Sequence, residues 1–436
     1  MSQLLLATVA EDGIGTVPVA VFDSRHAAVA AAPAAKPEFM LLLTIARAEL
    51  DAGERSLLQE LLAQPLDWKY LLTIAELHGL EPLLLHHLEN AAEAAPSRVM
   101  QTLRGACRTI ALRNLVLSTK LREISARLSS LRIEHISYKG PLLAEMYGGG
   151  ALRAYRDLDF LVPQAKLGAV RDALREICFR DKYGLTEAQQ AASFRFGFEH
   201  PFSSGAGIDL DVHWRVVQKF QSRSLDMDGM WKRREMARLL DGGVPALCPE
   251  DLLVVLCLHA GHHGWGQLSH MCDLAQLFRV HGEFDWKIVH GHLGASHTRR
   301  IIFISLYLLR KHWHTPMSEE MMDMVSSDPR VERLARRIEA EIWPAEKPAL
   351  TTSSLRWMLE RTAGEDLRDR ARLLAGSIFV PSIEDFAWFR LPAALSHLYA
   401  GVRVLRLACK WAASQWQRWR RKEAPQYMAG QQILHG

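Results

Sequence analysis

No C-x-x-C pair occurs in this chain. Its six cysteines, Cys107, Cys178, Cys248, Cys257, Cys272 and Cys409, are scattered, which excludes a zinc ribbon and suggests no disulfide framework. A reducing, cytoplasmic compartment fits that usage best. The Gly-x-x-x-x-Gly-Lys-Ser/Thr loop is missing, which argues against a P-loop ATPase, and the lack of Gly-x-Ser-x-Gly leaves serine hydrolase chemistry without support. Apolar runs are short: Ile301-Ile-Phe-Ile-Ser-Leu-Tyr-Leu-Leu309 reaches about half of what a membrane-spanning helix needs. The first residues, Met1-Ser-Gln-Leu-Leu-Leu-Ala7, have no basic n-region and soon meet Glu11 and Asp12, so a secretory signal is not expected. A net charge of +4 over 436 residues is too small for a chain that coats nucleic acid along its whole surface, although a local basic patch is compatible with it.

What is present is an ordinary globular composition, 49% hydrophobic and 23% charged, in a chain long enough for two or three packed units. An Ala-rich segment, 1–36, reads as a flexible leader. From Phe39 the apolar residues recur at steps of three and four, as in Leu57-Leu58, Leu61-Leu62, Leu71 and Ile74-Ala75, so 37–130 is expected to be a helical region. Residues 131–220 read as a mixed α/β core. Within it, 133–138 is expected as a strand and 142–147 as a short helix ended by Gly148-Gly149-Gly150. A strand at 157–162 and helices near 165–178 and 186–193 follow, then a hairpin with arms 194–202 and 208–215. The rest reads as helix from Pro249 to about 420, giving a C-terminal helical region at 221–403 and a basic, aromatic tail at 404–436. The expected fold class is thus α+β: a small mixed sheet flanked by mainly helical regions.

The chemistry concentrates in Tyr138-Lys139-Gly140 and in Arg153-Ala-Tyr-Arg156-Asp157-Leu158-Asp159-Phe160-Leu161-Val162. A strand has a side-chain period of two, so Asp157 and Asp159 share one face. Like charges at that spacing repel unless a cation, an arginine or a proton offsets them, and Mg²⁺ explains the pair more readily than packing does. In 208–214, Asp209, Asp211 and His213 again share a face, while Ile208, Leu210, Val212 and Trp214 share the other. If the two strands are neighbours, three or four carboxylates converge, the composition that a two-metal phosphoryl-transfer site requires.

Lys139-Gly140, Arg153-x-x-x-Asp157-x-Asp159, Asp211-Val-His213-Trp214, Pro249-Glu-Asp-Leu-Leu, His259-Ala-Gly-His-His263-Gly-Trp265 and Cys272-Asp273-Leu together resemble an uncharacterised bacterial branch of the polymerase-beta-like nucleotidyltransferase superfamily. The resemblance spans roughly residues 110–290. It implies a nucleotidyltransferase core at 131–220 that moves a nucleoside monophosphate from an NTP to a hydroxyl or phosphate acceptor with Mg²⁺ or Mn²⁺. By the same resemblance Asp157 and Asp159 are metal ligands, Asp211 is the third carboxylate, as ligand or general base, and Lys139, Gly140 and Arg153 meet the phosphates. The acceptor would be a small molecule, a glycan or a peptide, in polysaccharide or modified-peptide synthesis. A catalytically idle nucleotide-binding scaffold is the alternative. The superfamily usually opens a helix with Gly-Gly or Gly-Ser here, whereas this chain has Lys139-Gly140-Pro141, whose proline removes one amide donor.

Other positions stay open on sequence alone. Arg153 either binds phosphate or pairs with a carboxylate, and for Arg156 pairing is the stronger reading. Asp209 is either a fourth ligand or a solvated acid, and His213 either orients a ligand or is structural. His259, His262, His263 and His270, with Asp273, read as packing and capping groups, as a cleft wall or as a zinc site, but the absence of H-E-x-x-H weakens the last. Lys410, Trp411, Trp416, Arg418, Trp419, Arg420, Arg421 and Lys422 suggest either a final helix docked through its tryptophans or weak contact with an anionic membrane surface.

Overall fold

The computed structural model describes residues 36–91, 95–221, 225–294, 296–343 and 367–428. Apart from Lys36, the expected leader lies outside the described residues, as do the last eight residues of the expected tail.

Five helices, Pro37–Thr44, Ala52–Leu62, Trp68–His78, Glu81–Glu89 and Ser97–Ser130, fill the N-terminal region. Their starts follow local chemistry. Asp51 and Glu54 form a reciprocal capping box, the Asp67 carboxylate accepts from the Tyr70 amide, and Pro82 sits in a first turn where its missing N–H is not needed. The last of the five is 34 residues long, about 50 Å. Its buried positions Val99, Leu103, Cys107, Ile110, Leu117, Leu121, Ile124 and Leu128 keep one stripe facing inward.

That stripe spans two cores. Val99, Met100 and Leu103 join a core in which Phe39, Leu42 and Leu84 of the N-terminal helices pack with Leu253, Leu274, Ile302 and Trp343 of the C-terminal ones. The two helical regions, separate in sequence, therefore bury their apolar faces together. Leu117, Leu121, Ile124 and Leu128 instead cover one face of the sheet, against Leu158, Phe160, Leu210 and Val212.

The sheet has seven strands: β1 (Ile136–Ser137), β2 (Asp157–Leu161), β3 (Phe179–Asp181), β4 (Glu199–Ser204), β5 (Asp209–His213), β6 (Glu235–Leu239) and β7 (Gly242–Ala246), in the order β3-β4-β5-β2-β1-β7-β6. The α+β class is as expected, with a larger sheet than the sequence suggested. Strand β2 pairs in parallel with β5 and antiparallel with β1, while β1 pairs in parallel with β7.

Several boundaries differ from expectation. The expected strand at 133–138 shortens to two residues, and the short helix runs Pro141–Glu145. The polar helix extends over Glu187–Phe196, because Thr186 and Gln189 form a capping box and the helix continues through Phe194, so the first hairpin arm starts at Glu199 instead of 194. Strands β3, β6 and β7 were not expected. Because β7 pairs with β1, the sheet runs on to Ala246, past the expected core limit at 220.

The helices Pro249–His262, Leu268–His281, Ser296–Trp313 and Glu319–Ser326 follow, and Leu367–Phe379, Ile383–Trp388 and Tyr399–Met428 form the C-terminal end. Among the described residues, no helix is long and apolar enough to cross a membrane. One buried constellation has the residue types of a hydrolytic triad: Ser193 Oγ lies 2.9 Å from His200 Nδ1, and His200 Nε2 lies 2.5 Å from Asp181 Oδ2. All three side chains are buried, with Asp181 also accepting from the Tyr183 and Leu185 amides. The group ties the polar helix to β3 and β4, where no substrate can reach it.

Candidate active site

Strand pairing decides which carboxylates meet. The parallel register of β2 and β5 sets Asp157 opposite Asp209, Asp159 opposite Asp211 and Leu161 opposite His213. Paired residues point to the same side, so the two acidic strands present one face. Leu158, Phe160, Leu210 and Val212 supply the opposite, buried face. On the other flank, β4 pairs Glu199 with His213 and Pro201 with Asp211, which brings a further carboxylate, Glu199, to the same face.

Asp159 is the buried centre of the group. Its Oδ1 accepts from Lys139 Nζ at 3.0 Å and lies 3.0 Å from His213 Nε2. Burial alone raises its pKa, but the Lys139 charge and the His213 hydrogen bond outweigh that and hold the carboxyl below the ordinary carboxylate range. Its neighbours go the other way. Burial, then repulsion from Asp159 and Asp157, pushes Asp211 up to about 7. Burial and the Asp159 charge raise Asp157, which retains solvent access at the edge of the face. Glu199 is raised by burial and by Asp211. The site thus holds more negative charge than Lys139 neutralises. His213 Nδ1 is buried without a hydrogen bond, since Glu199 Oε2, although only 3.2 Å away, does not meet the angle for one.

The Lys139-Gly140 turn is built against the same strand. Gly140 has φ +53° and ψ −119°, and a Cβ there would stand 3.1 Å from the Asp157 carbonyl oxygen. Only glycine fits that conformation at that distance. Arg153 Nη1 donates to the Gly140 carbonyl at 3.2 Å, while its Nε and Nη2 grip Asp273 at 2.6 and 2.8 Å. Tyr147 Oη donates to the same Asp273 at 3.1 Å. Asn114 holds the chain between, donating to the carbonyls of Gly150 at 2.6 Å and Arg153 at 2.7 Å.

The structure therefore brings Asp157, Asp159, Asp211 and Lys139 to one face and sets Gly140 against the backbone of Asp157. It does not bring Arg153 onto the strand aspartates: its charge is paired with Asp273. Asp209 stands at the outer end, 2.8 Å from Lys182 Nζ. Glu199 was missed in the sequence, because its period-two partners, Pro201 and Ser203, carry no charge to mark the face. Among the described residues, no three His, Cys, Asp or Glu side chains are arranged to enclose a metal ion. A depression of about 560 Å³ lies elsewhere, lined by His290, Arg299, Phe303 and Arg330 and by none of these residues.

The family described as uncharacterised nucleotidyltransferase matches residues 64–314, more than half of the chain, and the chain belongs to that family. Among solved structures it is similar to an antigenic nucleotidyltransferase-like protein from Paracoccidioides brasiliensis, at 13% identity over 52% of this chain and 93% of that one, with a TM-score of 0.29. That likeness is too slight to bear on the site. No curated protein matches the chain.

Proposed function

We propose that the protein is a metal-dependent nucleotidyltransferase of the polymerase-beta-like superfamily, moving a nucleoside monophosphate from an NTP to a hydroxyl or phosphate acceptor with release of pyrophosphate. The observation that carries this reading is the in-register parallel pairing of β2 with β5, which aligns Asp159 with Asp211 beside the Lys139 ammonium. Family membership supports the transferase class.

The donor set suits Mg²⁺ or Mn²⁺ in kind. Asp157, Asp159 and Asp211 offer hard carboxylate oxygens, and the raised affinity of Asp157 and Asp211 for protons is a deficit of positive charge that a divalent cation would fill. Those three would hold it, and when bound it would supply charge neutralisation at the triphosphate. The remaining roles belong to the chain itself. Asp211, opposite Asp159 on the paired strand, is placed to complete the ligand set or to accept the acceptor's proton. Lys139 and the Gly140 amide face phosphate oxygens. Arg153 holds the Gly140 carbonyl, and with it the Lys139 turn, instead of meeting substrate. Glycan, peptide and small-molecule acceptors all suit a site of this kind, and synthesis of a polysaccharide or modified peptide is the corresponding setting.

An idle nucleotide-binding scaffold is the second reading. It is favoured by the engagement of Asp159 Oδ1 with both Lys139 and His213, which occupies a ligand position. A screen of the four α-labelled NTPs with Mg²⁺ or Mn²⁺ against cell-extract acceptors separates the two. Label transferred to an acceptor supports the enzyme, and NTP binding without transfer from any of the four leaves the scaffold.

A further inference from the structure

The helices Pro249–His262 and Leu268–His281 set four imidazoles side by side. Ring centroids lie 4.6 Å apart for His259 and His263, 4.7 Å for His259 and His270, 5.2 Å for His263 and His270, and 5.3 Å for His262 and His263. His263 is the C-cap residue of the first helix, but the group is not enclosed as a packed core would be. His262 and His263 are exposed, His259 and His270 only half-buried, and His270 Nδ1 is enclosed without a hydrogen bond.

The cluster lies beside the Lys139-Gly140 turn, since Arg153 joins Asp273, one helical turn after His270, to the Gly140 carbonyl. The charged and titratable groups acting on it are Lys139, on all four rings, Asp159, on His263, and Asp273, Arg153 and His78, on His270. Asp273 is already bound by Arg153 and Tyr147, so it does not neutralise this wall. Desolvation of the half-buried His259 and His270, together with the Lys139 charge, keeps these two rings below the ordinary histidine range. The four rings present N–H donors near the Lys139–Asp159 pair, and among the described residues no carboxylate is hydrogen-bonded to any of them.

We infer that His259, His262, His263 and His270 form, with Lys139, a binding wall for a phosphate group. The phosphate is that of the NTP or of a phosphorylated acceptor. This rests on the nucleotidyltransferase reading for its biological setting, but phosphate binding needs no turnover. A dianion placed there favours the protonated imidazoles, so binding takes up protons.

The test is calorimetric titration of the full-length protein, without metal, at pH 7 in two buffers of different ionisation enthalpy, using inorganic phosphate, an NTP and the corresponding nucleoside. Phosphate is expected to bind with proton uptake, and the nucleoside to show none. His262→Gln and His263→Gln, at exposed positions where folding is least at risk, should each weaken phosphate about 10-fold, the effect of one charge-assisted hydrogen bond, with unchanged melting. Parallel weakening of the NTP assigns the wall to the triphosphate, and an unaltered NTP affinity assigns it to the acceptor's phosphate. Unchanged phosphate affinity in both variants, absence of proton uptake, or stoichiometric Zn²⁺ binding that excludes phosphate would each overturn the inference. Failure of every acceptor screen would remove the catalytic reading while leaving this titration intact.

Discussion

Lys139 Nζ stands 3.0 Å from Asp159 Oδ1, with side-chain exposures of 16% and 5%, so each charge is the other's replacement for water. Removing one member of a buried pair costs about 3–5 kcal/mol, because the survivor keeps its desolvation without its partner. Asp157, by contrast, makes no ion pair among the described residues and is exposed. Asp157→Ala and Asp159→Ala are therefore both expected to lower Mg²⁺-dependent pyrophosphate release by on the order of 10³-fold, but only Asp159→Ala should lower the unfolding midpoint in denaturant. Undiminished turnover in either variant would remove the site assignment, and equal stability of the two would refute the role given to Lys139.

The raised carboxyls predict a pH dependence of defined sign. Asp211 moves from 3.8 to about 7 in the folded chain, so between those values the native state holds a proton that the unfolded state has released. Its contribution to stability therefore falls as pH rises across that window and is constant above it. Asp157 and Glu199 are shifted in the same direction, whereas the lowered Asp159 acts at pH values below its ordinary range. Thermal melts from pH 4 to 8 should show Asp211→Asn gaining stability relative to the parent chain toward pH 8 while losing activity. A difference that does not grow with pH would contradict the repulsion argument.

Gly140 sits at φ +53° with the Asp157 carbonyl 3.1 Å from where a Cβ would be. Gly140→Ala should cost about 1–3 kcal/mol in strain and contact and displace the Lys139 turn, reducing turnover along with stability. Gly148, although also at positive φ, has open space around its Cβ position, so Gly148→Ala should cost stability with a much smaller loss of activity. Comparable turnover losses in the two would deny Gly140 any special closeness to the site.

On the helix Tyr399–Met428, Leu405, Trp411 and Trp416 are 58%, 45% and 54% exposed. Docking onto the helical region would bury such residues, and their exposure favours a surface role. Arg403 and Arg406 are held by Asp385. The full chain is expected to sediment weakly with anionic vesicles at low salt and to release at high salt. Trp411→Ala/Trp416→Ala should reduce the pelleted fraction, and equal pelleting would exclude a part for this helix.

The acidic strands were readable because period-two alternation writes Asp157, Asp159, Asp209, Asp211 and His213 onto one face each. Their partnership was not, since β2 and β5 lie about fifty residues apart in the chain and nothing local states that they pair, or in which direction. The first hairpin arm was started too early because the polar helix continues through Phe194 and Phe196, aromatic residues that read equally well as the start of a strand, and Glu199 escaped for want of charged period-two partners. Strand β3 has three residues and β6-β7 a glycine-rich turn, too little apolar pattern to announce a sheet edge. The Arg153 partner, Asp273, is 120 residues distant, a separation at which sequence offers residue types but no distances.

The Arg153–Asp273 clamp also bears on how the protein can be divided. A fragment limited to 131–220 would omit Asp273, β6 and β7, along with the part of the long helix that covers the sheet. It would expose Leu158, Phe160, Leu210 and Val212 to water and leave the Arg153 guanidinium without its counterion. The smallest piece worth expressing to keep the carboxylate face assembled begins before Ser97 and ends after His281, so the catalytic segment behaves as an inset of the helical body instead of a portable module.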